Sequence, residues 1–102
     1  MVYKITEYSQ NKIKELNEKL KTDAFSIQPS KDKSKKIDVY LFDKVIASIG
    51  AIKMSDFPTF LKSDGEEFAN KRREAFYARF KRIPNIKDGK ILTMFWTRYI
   101  LW

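Results

Sequence analysis

Two β-prone segments that lie close together in the chain most constrain how it can fold. Residues 37–42 and 45–49 are rich in β-branched and aromatic side chains, and only Asp43 and Lys44 separate them. This short separation predicts an antiparallel hairpin in which Phe42 lies opposite Val45. Residues 25–27 are also β-prone and predict one further strand.

Apolar residues at helical spacing flank this small sheet. Ser9 is predicted to cap a helix over residues 10–21, and Ser55 or Asp56 is predicted to cap a short second helix. Residues 66–82 form the strongest predicted helix, because acidic residues begin it and basic residues end it. After Asp88 and Gly89, a last helix or an extended segment is expected over the aromatic residues 91–102.

These elements predict an α+β fold, in which a small antiparallel sheet (a hairpin plus one strand) packs with three to four helices. A length of 102 residues suits a single domain over residues 1–102. Within it we expect an N-terminal helical segment, residues 1–22, and an α+β core, residues 24–102.

The chain contains no cysteine and no histidine. This excludes disulfides, thiolate metal sites and cysteine nucleophiles, and it removes the commonest metal ligand and general base. We therefore expect a non-enzymatic protein with no catalytic residue, no metal site and no cofactor. No membrane partner is expected either, because every apolar run, such as residues 94–96, is far shorter than the roughly 20 residues of a membrane span.

A formal net charge of +8 predicts attraction to an acidic partner, either a protein surface or nucleic acid. The charge is concentrated in residues 31–36, the lysine loop, and in residues 71–82. The lysine loop is either a solvated charge run or a contact site for phosphate or carboxylate. The candidate partner-binding residues are Lys31, Lys33, Lys35, Lys36, Lys71, Arg73, Tyr77, Lys81, Arg82 and Trp102.

Arg72 and Arg79 differ from the other basic residues of the strong helix. At about 100° per residue they fall within its apolar stripe, beside Phe76 and Phe80. We interpret them as structural residues that pair with an internal carboxylate, such as that of Asp38, Asp56 or Asp64. The aromatic residues of this stripe are more simply explained as core than as stacking platforms for nucleic acid bases.

Residues 24–102 contain a series of short motifs in a defined order. They are Ile27-Gln28-Pro29-Ser30, the lysine run, Ile37-Asp38-Val39-Tyr40, Ile46-Ala47-Ser48-Ile49-Gly50, Asp56-Phe57-Pro58-Thr59-Phe60, Ala69-Asn70-Lys71-Arg72-Arg73 and Ile100-Leu101-Trp102. In this order they resemble a small uncharacterised domain shared by large eukaryotic DNA viruses and some tailed bacteriophages. The chain departs from that pattern at Asp43-Lys44 and over residues 86–95.

The resemblance implies a viral context and no catalytic activity. In that context we expect an auxiliary or minor capsid protein, made in the host cytoplasm and carried in the virion, that binds acidic surfaces of capsid protein or other virion subunits. The alternative is a nucleic-acid-binding protein that contacts phosphates through the lysine loop and the basic helix.

Overall fold

The chain folds as four helices and two antiparallel sheets, and the computed structural model describes residues 3–102. The elements in chain order are α1 Glu7–Lys19, β1 Phe25–Pro29, β2 Lys35–Leu41, β3 Lys44–Ala51, α2 Phe57–Asp64, α3 Glu66–Arg79, β4 Ile86–Lys87, β5 Lys90–Ile91 and α4 Thr93–Leu101. The larger sheet has the order β1-β2-β3, and β4 pairs with β5. The predicted α+β fold is confirmed. Met1 and Val2 of the predicted N-terminal segment lie outside the described residues.

One face of the larger sheet carries the hydrophobic core. Alternate residues of a strand point to the same face, so Ile37 and Val39 of β2 lie beside Ile49 of β3, and all three are fully buried. Helices α1 and α4 cover this face with Ile13, Trp96, Ile100 and Leu101. Burial of each such large side chain contributes roughly 1.5–3 kcal/mol, which makes this layer the main source of stability.

The outer edge of β1 is protected by a side chain of α1. The Asn17 amide accepts a hydrogen bond from the Phe25 backbone N–H at 3.1 Å and donates one to the Phe25 carbonyl at 2.8 Å. Asn17 thus satisfies the two backbone groups that a neighbouring strand would otherwise bind. The contact also fixes α1 against the sheet.

The hairpin forms, but its turn lies one residue earlier than predicted. Leu41 pairs with Lys44 and Tyr40 with Val45, so Phe42 and Asp43 make the turn and the predicted pairing of Phe42 with Val45 is wrong. The Phe42 N–H donates to the Ala24 carbonyl at 2.7 Å, which holds this residue beside β1. Phe42 adopts a φ of 55°, a strained value for an aromatic residue, and its side chain is 70% exposed.

The helix ends also differ in part from the prediction. Thr6 caps α1 by accepting from the Ser9 N–H at 3.3 Å, whereas Ser9 is buried inside the helix and donates its hydroxyl to the Ile100 carbonyl. Of the two predicted caps of α2, Ser55 and Asp56, the structure has Asp56. Helix α3 ends at Arg79 rather than at Arg82.

The small hairpin β4–β5 was not predicted. Asp88 and Gly89 form its turn with φ values of 53° and 76°, and this dipeptide favours such turns because both residues tolerate positive φ. The segment that follows is the helix α4, one of the two predicted alternatives. Residues 81–91 are exposed along their whole length.

A buried ion pair joins three parts of the chain. The Lys36 Nζ of β2 lies 2.7 Å from Asp56 Oδ2, and their side chains are 4% and 1% exposed. The Tyr3 hydroxyl donates to the same carboxylate oxygen at 2.9 Å. Burial, and then the charge of Asp56, raise the pKa of Tyr3, so this hydroxyl remains a donor. Lys36, one of the predicted partner-binding residues, is thus buried in an internal ion pair and is not on the exposed surface.

Lys36→Met should be strongly destabilising, because it leaves the Asp56 carboxylate buried without its counter-charge. We expect the free energy of unfolding to fall by about 3–5 kcal/mol, measured by urea denaturation. The control is Lys71→Met, since Lys71 lies 3.9 Å from Glu67 in an exposed pair and should contribute less than about 1 kcal/mol. Equal losses in the two variants would contradict a structural role for Lys36.

Asp38 orders the lysine loop. Its carboxylate accepts hydrogen bonds from Ser30 Oγ at 2.6 Å, from the Lys31 N–H at 3.1 Å and from Ser48 Oγ at 2.7 Å. Burial alone would raise the pKa of Asp38, but these hydrogen bonds outweigh burial and lower the pKa. The loop is therefore held by internal contacts.

The lowered pKa of Asp38 predicts a loss of stability in acid. A depressed carboxyl pKa contributes stability above the unfolded-state value of about 3.9, and this contribution disappears as the pH falls through the folded-state pKa. Asp38→Asn should reduce stability at pH 7 by about 1–3 kcal/mol and flatten the acid limb of a plot of unfolding free energy against pH. An unchanged acid limb would show that other carboxylates are responsible.

Candidate functional site

A small pocket of about 230 Å³ opens where α1, α3 and α4 meet. Its wall is made of cationic and aromatic side chains alone: Tyr8, Lys12, Arg73, Tyr77, Arg98, Tyr99 and Trp102. We call this the basic pocket. It brings together residues that are up to 94 positions apart in the chain, so only the folded protein contains it.

Helices α1 and α3 supply one side of the basic pocket. Tyr8 and Lys12 are one turn apart on α1, and the Lys12 Nζ lies 5.5 Å from the ring centroid of Tyr8 and 5.5 Å from that of Tyr99. Arg73 donates from Nη2 to the Tyr8 hydroxyl at 3.0 Å, and its guanidinium lies 3.6 Å above the ring of Phe57. These contacts hold both cations in place.

Helix α4 supplies the other side. Arg98 donates from Nη1 to Asn85 Oδ1 at 2.6 Å and from Nη2 to the Phe80 carbonyl. The Tyr77 hydroxyl donates to the Arg98 carbonyl at 3.4 Å, which links α3 to α4. Trp102 stacks on Phe76, with ring centroids 4.5 Å apart and planes at 8°. The indole is thereby fixed as a flat wall.

Within the described chain, the cations of the basic pocket form no ion pair. Among residues 3–102, no carboxylate lies within 4.0 Å of Lys12, Arg73 or Arg98. The Nε atoms of Arg73 and Arg98 are buried and have no hydrogen-bond acceptor in the described chain. Burial raises the pKa of Tyr77 although Arg73 and Arg98 act in the opposite direction. Its hydroxyl therefore stays a neutral donor among the cations.

This arrangement suits an anion. Guanidinium groups bind carboxylate or phosphate in a planar, two-point geometry, and tyrosine hydroxyls add further donors. An anion would also relieve the repulsion between the three cations. The pocket lining contains no carboxylate, cysteine or histidine that could act as a base or nucleophile.

The basic pocket unites three of the predicted partner-binding residues, Arg73, Tyr77 and Trp102. The others lie elsewhere. Lys31, Lys33 and Lys35 are on the lysine loop and at the start of β2, and Lys71, Lys81 and Arg82 are exposed outside the pocket.

The predicted ion pairs of Arg72 and Arg79 are wrong. Both side chains are exposed, and within residues 3–102 neither lies within 4.0 Å of a carboxylate. Their guanidiniums lie 5.5 Å from the ring of Phe60 and 5.1 Å from that of Phe80, respectively. The inward arginine is instead Arg73, which shares a face of α3 with buried Ala69 and contacts Tyr8 of α1 and Phe57 of α2.

Four residues of the basic pocket were not predicted: Tyr8, Lys12, Arg98 and Tyr99. A weak signal exists for the first two, because Tyr8 and Lys12 have the spacing at which an aromatic ring and a cation meet on a helix. Arg98 and Tyr99 lie within an aromatic segment whose composition indicates core. Sequence alone does not show which of its side chains face a cavity.

Comparisons of the chain with protein-family models, with curated proteins and with solved structures gave no match. Over residues 3–102, no helix is long and apolar enough to cross a bilayer. The same residues contain no group of acidic side chains arranged to hold a metal ion. The function therefore has to be inferred from the geometry of the basic pocket.

Two adjacent arginines test which face of α3 is turned inward. Arg73→Ala removes the hydrogen bond to Tyr8 and the contact with Phe57, and should lower the free energy of unfolding by about 1–3 kcal/mol. Arg72→Ala removes only an exposed contact with Phe60 and should cost less than about 1 kcal/mol. Thermal denaturation of both variants measures the difference, and a larger loss for Arg72→Ala would contradict the observed orientation.

Proposed function

We propose that this protein is a non-enzymatic binding protein that docks on an acidic protein surface, and that the basic pocket receives an aspartate or glutamate side chain of the partner. The observation that carries this proposal is the cluster of three cations that form no ion pair within residues 3–102. An external carboxylate would supply the missing negative charge.

The size of the basic pocket favours a side chain over a nucleotide or another complete small molecule. Its 230 Å³ lies below the roughly 300–1,000 Å³ of most small-molecule sites. Its composition of tyrosine, tryptophan and arginine is the composition that is enriched at the energetic centres of protein interfaces. The exposed lysines around it would then steer the partner and add little affinity.

The viral resemblance of residues 24–102 stays a prediction, and it suggests where the partner is found. We place the protein in the virion as an auxiliary or minor capsid protein, made in the host cytoplasm and bound to acidic patches of capsid protein or other virion subunits. Quantitative mass spectrometry of purified particles tests this placement. Many copies per particle would support it, and absence from particles would overturn it.

Two lysines on α1 test the basic pocket itself. Lys12 lines the pocket, whereas Lys14 is exposed on the same helix outside it. With a fluorescein-labelled peptide of alternating glutamate and alanine, Lys12→Glu should weaken binding about tenfold or more, which corresponds to 1.4 kcal/mol. Lys14→Glu makes the same charge change and should alter the affinity by no more than about twofold. Equal weakening by both would show that net charge, and not the pocket, binds the peptide.

Nucleic acid is the second candidate partner, and the exposed region after α3 favours it. Lys81, Arg82, Lys87 and Lys90 project from residues 81–91, which are exposed throughout. Lys87 lies directly opposite Lys90 in the β4–β5 pair, a like-charge contact that a phosphate would relieve.

Salt dependence separates the two candidates in the same binding assay. If the protein binds a short DNA duplex through about six phosphate contacts, its affinity should fall about a thousandfold when the salt concentration is raised from 50 to 200 mM. The affinity for the acidic peptide should fall far less over the same range, because the peptide is held in a partly buried pocket. DNA binding that persists at the higher salt concentration and discriminates between sequences would favour nucleic acid as the partner.

A further inference from the structure

A second cavity, of about 310 Å³, shares Trp102 with the basic pocket. It is enclosed by the end of β3, the start of α2, and the facing sides of α3 and α4. We call it the apolar pocket. It is more enclosed than three larger depressions on the surface of the described chain.

The wall of the apolar pocket is mainly hydrophobic and adaptable. Phe76 and Phe80 line it from α3, and Met94 and Leu101 line it from α4. Met54 closes one side and is 55% exposed, so a large flexible side chain stands at the opening. Methionine adjusts to ligands of different shape because its side chain is unbranched and polarisable.

The polar part of the apolar pocket carries a net positive charge. Lys36 and Asp56 both line it, and their 2.7 Å ion pair neutralises the carboxylate. Arg79 also lines the pocket, is exposed, and has no carboxylate within 4.0 Å among residues 3–102. One uncompensated cation thus stands at the margin of a hydrophobic cavity.

We propose that the apolar pocket binds a small hydrophobic carboxylate, with its aromatic or aliphatic body between α3 and α4 and its carboxylate at Arg79. The volume lies at the lower end of the range for small-molecule sites, which limits the ligand to about the size of two fused rings. The Lys36 ammonium makes one hydrogen bond, to Asp56, so it retains donors for a second ligand oxygen.

This site does not depend on the proposed function. The two pockets have only Trp102 in common, and the basic pocket has no hydrophobic aliphatic wall. A peptide anchored in the basic pocket and a small molecule in the apolar pocket would therefore share only the contact with Trp102. Loss of one activity therefore leaves the other measurable.

The test uses 2-naphthoate as the probe and 2-naphthylmethanol as its neutral analogue, with binding followed by NMR of the full chain. Naphthoate should shift the Trp102 indole N–H and the methyl groups of Met54 and Met94. The Trp96 indole is the internal control, because it is 3% exposed and does not line the pocket. Naphthylmethanol should bind at least about tenfold more weakly, because it lacks the charge-assisted hydrogen bonds.

Matched variants identify the anion contact. Arg79→Gln should weaken naphthoate binding about tenfold and leave naphthylmethanol binding unchanged, whereas Arg82→Gln, outside the pocket, should affect neither. Thr97→Phe should fill the cavity and abolish binding of both compounds. Equal binding of the two probes would overturn the assignment of a carboxylate ligand. Absent shifts at Trp102, or unchanged binding to Thr97→Phe, would overturn the site itself.

Discussion

The buried pair of Lys36 and Asp56 is the contact on which the arrangement of the other elements depends. Removing two charges from water is costly, and the pair is tolerated because its atoms are 2.7 Å apart and Tyr3 adds a hydrogen bond to the same carboxylate oxygen. The second oxygen of Asp56 accepts from the Thr59 N–H and caps α2. A single carboxylate thus fixes the N-terminal segment, the central strand and the start of a helix.

The position of α2 in turn shapes the basic pocket. The first residue of α2, Phe57, is buried and contacts both the ring of Tyr8 and the guanidinium of Arg73. Arg73 is therefore held inward although it carries a charge. The cation at the centre of the proposed binding site is positioned by a helix that the buried ion pair holds in place.

The basic residues have two kinds of role that the net charge does not separate. Lys36, Arg73 and Arg98 contact internal groups, and Arg98 ties the base of the β4–β5 hairpin to α4 through Asn85 and the Phe80 carbonyl. The lysines and arginines of residues 81–91 make no such contacts and are exposed. In the proposed function, Arg73 and Arg98 recognise the partner, Lys36 stabilises the fold, and the exposed basic residues supply long-range attraction.

The sequence by itself determined the features that depend on neighbouring residues. The three strands and the α+β class follow from local composition and spacing, which also narrowed the cap of α2 to Ser55 or Asp56. Even the unpredicted β4–β5 hairpin carries a recognisable turn in Asp88-Gly89. The periodicity of apolar side chains indicates which residues share a face of a helix or strand, and it depends only on residues of that same element.

Only the tertiary structure decided which faces and residues meet. The hairpin turn lies at Phe42 because the Phe42 N–H donates to the carbonyl of Ala24, the residue just before β1. These two residues are 18 positions apart in the chain. Arg73 rather than Arg72 turned inward because Tyr8 and Phe57 receive its guanidinium, and Lys36 became buried because Asp56 lies above it. Each of these outcomes depends on a partner that is distant in sequence, and local periodicity contains no information about which distant group will be adjacent in the fold.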